Sequence, residues 1–218
     1  MTLDVQRLEV GPWPMNCYLV RCPVTGQVAV VDPGADPDAI LEAVGTAPLC
    51  CILVTHGHPD HVGALEAVCS HSEAPVGVHP ADASTLESSF GLKADFPLVD
   101  SMQIEVGQGR LRVVHVPGHT PGSICLLPVQ TRGRRKHTSE WALVGDAIFP
   151  GGPGHTKSHA ELRQSLTSLA CTVFTWPDGT QLLPGHGPGT TVRAERAAFE
   201  AFMDSDLSPH LQGDVTWR

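Results

Sequence analysis

Four potential metal ligands stand within six consecutive residues: His56, His58, Asp60 and His61 of Thr55-His56-Gly57-His58-Pro59-Asp60-His61. The segment leaves a short apolar run at 51–54 that reads as a buried strand. Packed as core side chains, these imidazoles and the carboxylate would lose water with nothing to neutralise or bond them. A divalent cation removes that cost, and imidazole nitrogen with carboxylate oxygen is a ligand set that Zn²⁺ accepts. Alternate residues of an extended turn point in different directions, so one such segment can serve two adjacent ions. The plainer alternative, a polar surface loop, gives no reason for this density of ligands.

Two further turns share a pattern, Pro117-Gly118-His119-Thr120-Pro121-Gly122-Ser123 and Pro184-Gly185-His186-Gly187-Pro188-Gly189-Thr190. Each directly follows an apolar stretch, 111–116 or 181–183, and the repeated strand-to-turn setting points to functional turns. A third Pro-Gly-His, Pro153-Gly154-His155, follows a glycine run instead. Leu143-Val144-Gly145-Asp146 reads as a strand ending in Gly-Asp. Taken singly, Asp146 could be a cap and His119 an ordinary turn residue.

These turns need elements to hold them. Strands are predicted at 3–10, 17–21, 27–31, 51–54, 76–78, 103–106, 111–116, 123–127, 141–144 and 181–183. Helices are predicted at 37–44, with Asp36 as N-cap and Pro37 at its first position, and at 62–69, 81–88, 159–170 and 192–203. Strands mixed with helices in this way form sheets covered by helices, an α/β or α+β layered architecture. The 218 residues fit one domain, 1–218, with no linker-like division.

Composition narrows the partners. The net charge of −9 argues against a general nucleic-acid binder, which needs a basic face. The one basic run, Arg132-Gly133-Arg134-Arg135-Lys136-His137, reads as a solvated loop between apolar strands, with a docking patch as the alternative. Seven cysteines without a repeated spacing do not make a disulfide framework; most sit in apolar surroundings as buried thiols. The start of the chain has neither the basic segment nor the apolar core of a signal peptide. No run approaches the ~20 apolar residues of a membrane helix, so a cytoplasmic location is the expectation. His71, His79, His115, His137, His159 and His210 lack a ligand context, and the scattered Trp13, Trp141, Trp176 and Trp217 suit core or rim packing.

The H-x-H-x-D-H segment resembles the signature of the metallo-β-lactamase superfamily. The superfamily pattern adds a third histidine, an aspartate after a glycine and a late histidine, matched here by His119, Asp146 and His186. The resemblance covers the chain from about Val10 to His186. It implies a four-layer αββα sandwich, two central mixed sheets flanked by helices. It also implies two divalent ions, Zn in the first instance with Fe or Mn as alternatives. His56, His58 and His119 would bind one, Asp60, His61 and His186 the other, and Asp146 both. Two cations about 3.5–4 Å apart would lower the pKa of a shared water, giving hydroxide to attack an activated carbonyl. Asp60, the implied catalytic carboxylate, could also accept or steer the proton.

Within the superfamily, the segments around His119, Asp146 and His186 resemble the glyoxalase II group, hydroxyacylglutathione hydrolase-type enzymes that cleave acyl-thioesters of glutathione. Class B β-lactamases often carry Cys where this chain has Asp146, and the diiron flavin-linked reductases carry Glu where it has His58. Only a short stretch follows His186, in place of that group's long helical C-terminal region. A small thioester or ester, of glutathione or another thiol carrier, is therefore the expected substrate. His155 and Lys157 stand where the group grips its anionic arm, although an exposed loop with incidental polar residues fits them equally. The alternative from another enzyme class is a mononuclear-iron persulfide dioxygenase, whose Gly-Cys-Gly-Arg turn is replaced here by Gly152-Pro153-Gly154-His155.

Overall fold

Apolar runs such as Val28-Ala29-Val30-Val31 and Ile124-Cys125-Leu126-Leu127 have no polar alternation, so strands built from them need cover on both faces. The computed structural model, which describes residues 2–129 and 140–217, supplies that cover. β1 (Asp4–Val10), β2 (Met15–Arg21), β3 (Val28–Val31), β4 (Leu49–Leu53), β5 (Val76–Val78) and β6 (Phe96–Pro97) form one sheet in that order. Its first three strands pair antiparallel and β3 to β6 pair parallel.

The second sheet contains β7 (Gln103–Val106), β8 (Gly109–His115), β9 (Ile124–Pro128), β10 (Trp141–Gly145), β13 (Gln181–Pro184) and β14 (Thr190–Thr191). Its order is β14-β13-β10-β9-β8-β7, parallel only between β10 and β13. A small hairpin, β11 (Ile148–Phe149) with β12 (Gly152–Pro153), stands apart. The helices are α1 (Pro37–Val44), α2 (Pro59–Val62), α3 (Leu65–His71), α4 (Pro80–Phe90), α5 (His159–Cys171) and α6 (Val192–Met203).

Side-chain alternation divides the interior into three layers. Cys17, Leu19, Val28, Val30, Ile52 and Val54 face α1, α3 and α4. Their neighbours Tyr18, Val20, Ala29, Val31, Cys51 and Leu53 face the other sheet and meet Val113, Ile124, Leu126 and Leu143. Cys125, Leu127, Ala142 and Val144 turn outward to α5 and α6. The expected four-layer architecture of two mixed sheets between helices is what the chain adopts.

Local departures have local causes. The helix expected at 62–69 is two, α2 and α3, broken at Gly63, where a Cβ would overlap the Gly34 carbonyl and Ala64 N donates to Pro33 O at 2.9 Å. Asp36 holds the N-cap position of α1 at φ 50°, but its Oδ2 accepts from Gly11 N at 2.7 Å instead of capping the helix. Trp141, Trp176 and Trp217 pack in the core, whereas Trp13 is 83% exposed in the β1–β2 turn. All seven cysteines are unpaired; Cys17, Cys22, Cys51 and Cys125 are buried and Cys171 is exposed. The basic run at 132–137 lies outside the described residues. Among those described, no helix is long and apolar enough to cross a membrane.

Glu195 of α6 fastens the second sheet to the turn of the β11–β12 hairpin. Fully buried, it accepts from Gly151 N (2.9 Å), Trp217 Nε1 (3.0 Å) and Thr190 Oγ1 (2.6 Å). Glu195→Ala strands buried donors and should cost about 3 kcal/mol of stability. Urea unfolding would show a lower midpoint at unchanged slope; an unchanged midpoint would mean that these bonds hold nothing.

Candidate metal centre

The seven residues singled out in the sequence arrive from both sheets. Beyond β4 the chain runs through His56 and His58. His58 occupies the N-cap position of α2 and Pro59 follows it, so Asp60 and His61 lie in that helix's single turn. From the second sheet, His119 stands in the turn between β8 and β9, Asp146 directly follows β10, and His186 follows β13. All the supporting strands deliver these residues at their carboxyl ends.

His56 Nε2, His58 Nδ1 and His119 Nε2 converge with separations of 3.1 Å (His56 to His58), 3.2 Å (His56 to His119) and 2.9 Å (His58 to His119). A second group is centred on His186 Nε2, 3.0 Å from Asp60 Oδ2, with His61 completing it. Asp146 reaches both groups, with Oδ1 3.4 Å from His61 Nε2 and Oδ2 3.7 Å from His186 Nε2 and 3.8 Å from His119 Nε2. The ligand atoms of His56/His58/His119, of His56/His61/Asp146 and of Asp60/His61/His186 each lie within 4.8 Å of one another.

Four of the rings are oriented from behind. His61 Nδ1 donates to Asp32 Oδ2 at 3.0 Å, His119 Nδ1 to the His155 carbonyl at 2.8 Å, and His186 Nδ1 to the Pro14 carbonyl at 3.0 Å. His56 Nδ1 donates to Thr55 Oγ1 at 3.2 Å, and that hydroxyl donates on to Asp32 Oδ2 at 2.6 Å. With Nδ1 donating backward, Nε2 of these four rings is the nitrogen that faces inward, as a metal ligand requires. Gly185 allows the close approach: a Cβ there would overlap Asp146 Oδ1 and the His61 ring.

The electrostatics separate the two groups. Burial, and then the surrounding imidazoles, press His56 well below the ordinary histidine range and His58 down to about 4. Burial also lowers His119 against the pull of Asp146. These three rings therefore present neutral lone pairs at pH 7. Burial opposes charge on His61 too, but the carboxylates of Asp32 and Asp146 outweigh it and hold its pKa at about 10. The His186 bond holds Asp60 far below the usual carboxylate range, and the same bond raises His186.

His61 Nε2 and Asp146 Oδ1 are buried yet have no hydrogen-bond partner. Orphaned polar atoms of this kind are costly unless something else completes them. Together with the convergent nitrogens they make a donor set of imidazoles and carboxylates that fits divalent ions.

His155 and Lys157 are not brought into this cluster by their side chains. The His155 ring pairs with Asp214 at 3.0 Å on the exposed side, and it is the His155 carbonyl that serves the centre, by orienting His119. Lys157 is exposed, with its backbone N–H donating to Glu161 at 2.6 Å. Asp32, which directly follows β3, is a supporting residue outside the ligand motifs. Buried at φ 52°, it accepts from Thr55 N (2.7 Å), Thr55 Oγ1 and His61. An aspartate ending a fully apolar strand, ahead of Pro-Gly, was the available signal.

Comparison with known proteins gives the chain's family. Hydroxyacylglutathione hydrolase of Anaeromyxobacter dehalogenans (strain 2CP-C) is 33% identical over 201 residues, covering 84% of this chain and 72% of that protein. The crystal structure of the BLEG-1 B3 metallo-β-lactamase is 25% identical with a TM-score of 0.76, covering 89% of this chain and 97% of that one. TTHA1623 in a di-iron-bound form is 29% identical with a TM-score of 0.69, covering 88% and 96%. The family model described as the metallo-beta-lactamase superfamily matches residues 10–192, from the end of β1 through every residue of the centre, and the chain belongs to that superfamily.

Proposed function

We propose that this protein is a dinuclear metal-dependent hydrolase of activated acyl compounds, with thioesters of glutathione or of another thiol carrier as its substrate class. The observation that carries the reading is the position of Asp146, whose two oxygens face His61 on one side and His119 and His186 on the other. One carboxylate between two complete donor groups is the arrangement a pair of ions needs. His56, His58 and His119 would hold the first ion, Asp60, His61 and His186 the second, and Asp146 both. The similarity to a hydroxyacylglutathione hydrolase supports the thioester class. The net charge of −9 favours a small molecule over a nucleic acid as partner.

Two bound cations would activate a water and polarise the acyl oxygen, so no serine or cysteine nucleophile is needed. The chain's own residues do the rest. Asp32, Thr55, Pro14 and the His155 carbonyl keep the rings in one tautomer and orientation. Asp60, on the exposed side of the cluster, is the carboxylate that would accept or steer the proton that the attacking water gives up. Zn²⁺ is the first choice of ion, and iron or manganese suits the same donors.

A second reading, a mononuclear-iron persulfide dioxygenase, is supported by one neighbour of this fold, ETHE1 from Myxococcus xanthus, 26% identical with a TM-score of 0.73. Metal analysis separates the two. About two ions per chain with release of free thiol from thioesters supports the hydrolase, while one iron with oxygen uptake on a persulfide supports the dioxygenase. A β-lactam belongs in the same panel, and its turnover in place of thioesters would overturn the substrate class.

Asp146→Asn should lower kcat/KM by about a hundredfold or more, because one neutral oxygen then serves two cations. It should also lower the metal count. A variant with unchanged metal and rate would remove Asp146 from its assigned place. Lys157→Ala should raise KM for a thioester with an anionic arm at unchanged kcat; equal KM values would return Lys157 to the exposed surface.

A further inference from the structure

The turns at 117–123 and 184–190 are each fastened by buried polar side chains from distant elements, Asp82 at the first and Asn16, with Tyr18 beside it, at the second. Asp82, in the first turn of α4, is 3% exposed. Its Oδ2 accepts from Gly57 N (2.9 Å) and Thr120 Oγ1 (2.7 Å), and its Oδ1 accepts from Gly122 N (2.8 Å). One carboxylate thus ties the turn carrying His56 and His58 to the turn carrying His119. The fit is close: a Cβ on Gly122 would stand 2.6 Å from Asp82 Oδ1. A charged acceptor strengthens all three bonds, and an acidic residue suits the first turn of a helix.

Asn16 of β2 does the corresponding work at the other turn with opposite polarity. Fully buried, its Nδ2 donates to the carbonyls of Pro184 and Gly187, both at 2.9 Å, while its backbone N–H donates to Gly185 O at 2.6 Å. These bonds bracket His186. Neither Asp82 nor Asn16 is among the residues whose ligand atoms converge at the centre.

We infer that Asp82 is the positioning residue for the His56/His58/His119 group and Asn16 that for the Asp60/His61/His186 group, so the scaffold anchors the two metal pockets separately. The inference rests on the dinuclear reading above. Asp82→Asn puts an amide N–H₂ against the N–H of Gly57 or Gly122, setting donor against donor and releasing the first pocket. Asn16→Ala removes its donors from the Pro184 and Gly187 carbonyls, leaving Tyr18 Oη on the first (2.7 Å) and the exposed Arg7 on the second (3.1 Å), and so loosens the second pocket. Loss of an outer partner of this kind lowers metal affinity by about 10–100-fold.

The test is Co²⁺ titration of the chelator-stripped protein against a competing chromogenic chelator, giving an affinity for each pocket. Paramagnetically shifted ring N–H resonances identify the pockets: His56 and His119 report the first, His61 and His186 the second. Asp82→Asn should weaken the first pocket about 10–100-fold and spare the second, and Asn16→Ala should do the reverse. A purely structural role would lower both affinities together in each variant, and that result, or no change in either, overturns the inference. Leu169→Ala, a core cavity in α5, should change neither affinity; a pocket-selective loss there would also overturn it. If Asp82→Asn fails to fold, Thr120→Val removes one of the three bonds and should give a smaller loss confined to the first pocket. Unchanged affinity in that variant counts against the inference. Wild-type protein that binds fewer than two Co²⁺ ions defeats the dinuclear reading itself, a failure seen without any substitution.

Discussion

Tyr18, Val20, Val31 and Leu53 from one sheet lie against Val113, Ile124, Leu126 and Leu143 from the other, and this apolar layer sets the separation of the two halves of the centre. His56, His58, Asp60 and His61 hang from the first sheet, while His119, Asp146 and His186 hang from the second. A change of an ångström in the spacing of the layers would move the His119 and His56 nitrogens, now 3.2 Å apart, out of reach of a common ion. Close packing resists such a change, because a core at crystal-like density neither compresses nor opens without losing contacts. The metal centre is therefore a consequence of sheet-on-sheet packing as much as of its own residues.

Packing sets the coarse distance, and hydrogen bonds from behind set the fine one. Three ligand rings are held from other elements: His61 by Asp32 from the end of β3, His186 by Pro14 from the β1–β2 turn, and His119 by the carbonyl of His155. Several of these approaches require a missing side chain, as at Gly185 beside Asp146 and His61 and at Gly154, where a Cβ would overlap the Asp146 carbonyl. Much of the chain's high glycine content around the site is explained by backbone and ligands sharing this space.

Whatever was encoded over a few residues could be read from the sequence. The ligand segment at 56–61 declares itself by density, and the strands by apolar runs that only two-sided burial explains. The layered architecture follows from the order of those strands and helices. Features created by contact between distant segments were not legible. The two-residue strands β6, β11, β12 and β14 have no period to detect. The break between α2 and α3 depends on where Pro33 and Gly34 happen to pack. His155 shows the same limit from another side: sequence gives a side chain to reason about, whereas the structure uses the carbonyl and sends the ring to Asp214.

Asp32, Asp82 and Asn16 make the general point most sharply. Each is a polar residue that a linear reading places just after a strand, at a helix start or just before a strand, and each is almost wholly buried. Burying a carboxylate or an amide is unfavourable unless every bond it gives up to water is replaced. Asp32 and Asp82 replace them with donors on the ligand-bearing turns, and Asn16 does so for its N–H₂ group with carbonyls there, so the requirement to satisfy these buried groups is also what immobilises the turns. Asp82 meets it by accepting from N–H and hydroxyl groups, Asn16 by donating to carbonyls. The two Pro-Gly-His turns can thus share a sequence pattern and yet be gripped by opposite chemistry, because the grip acts on the main chain that the pattern leaves exposed.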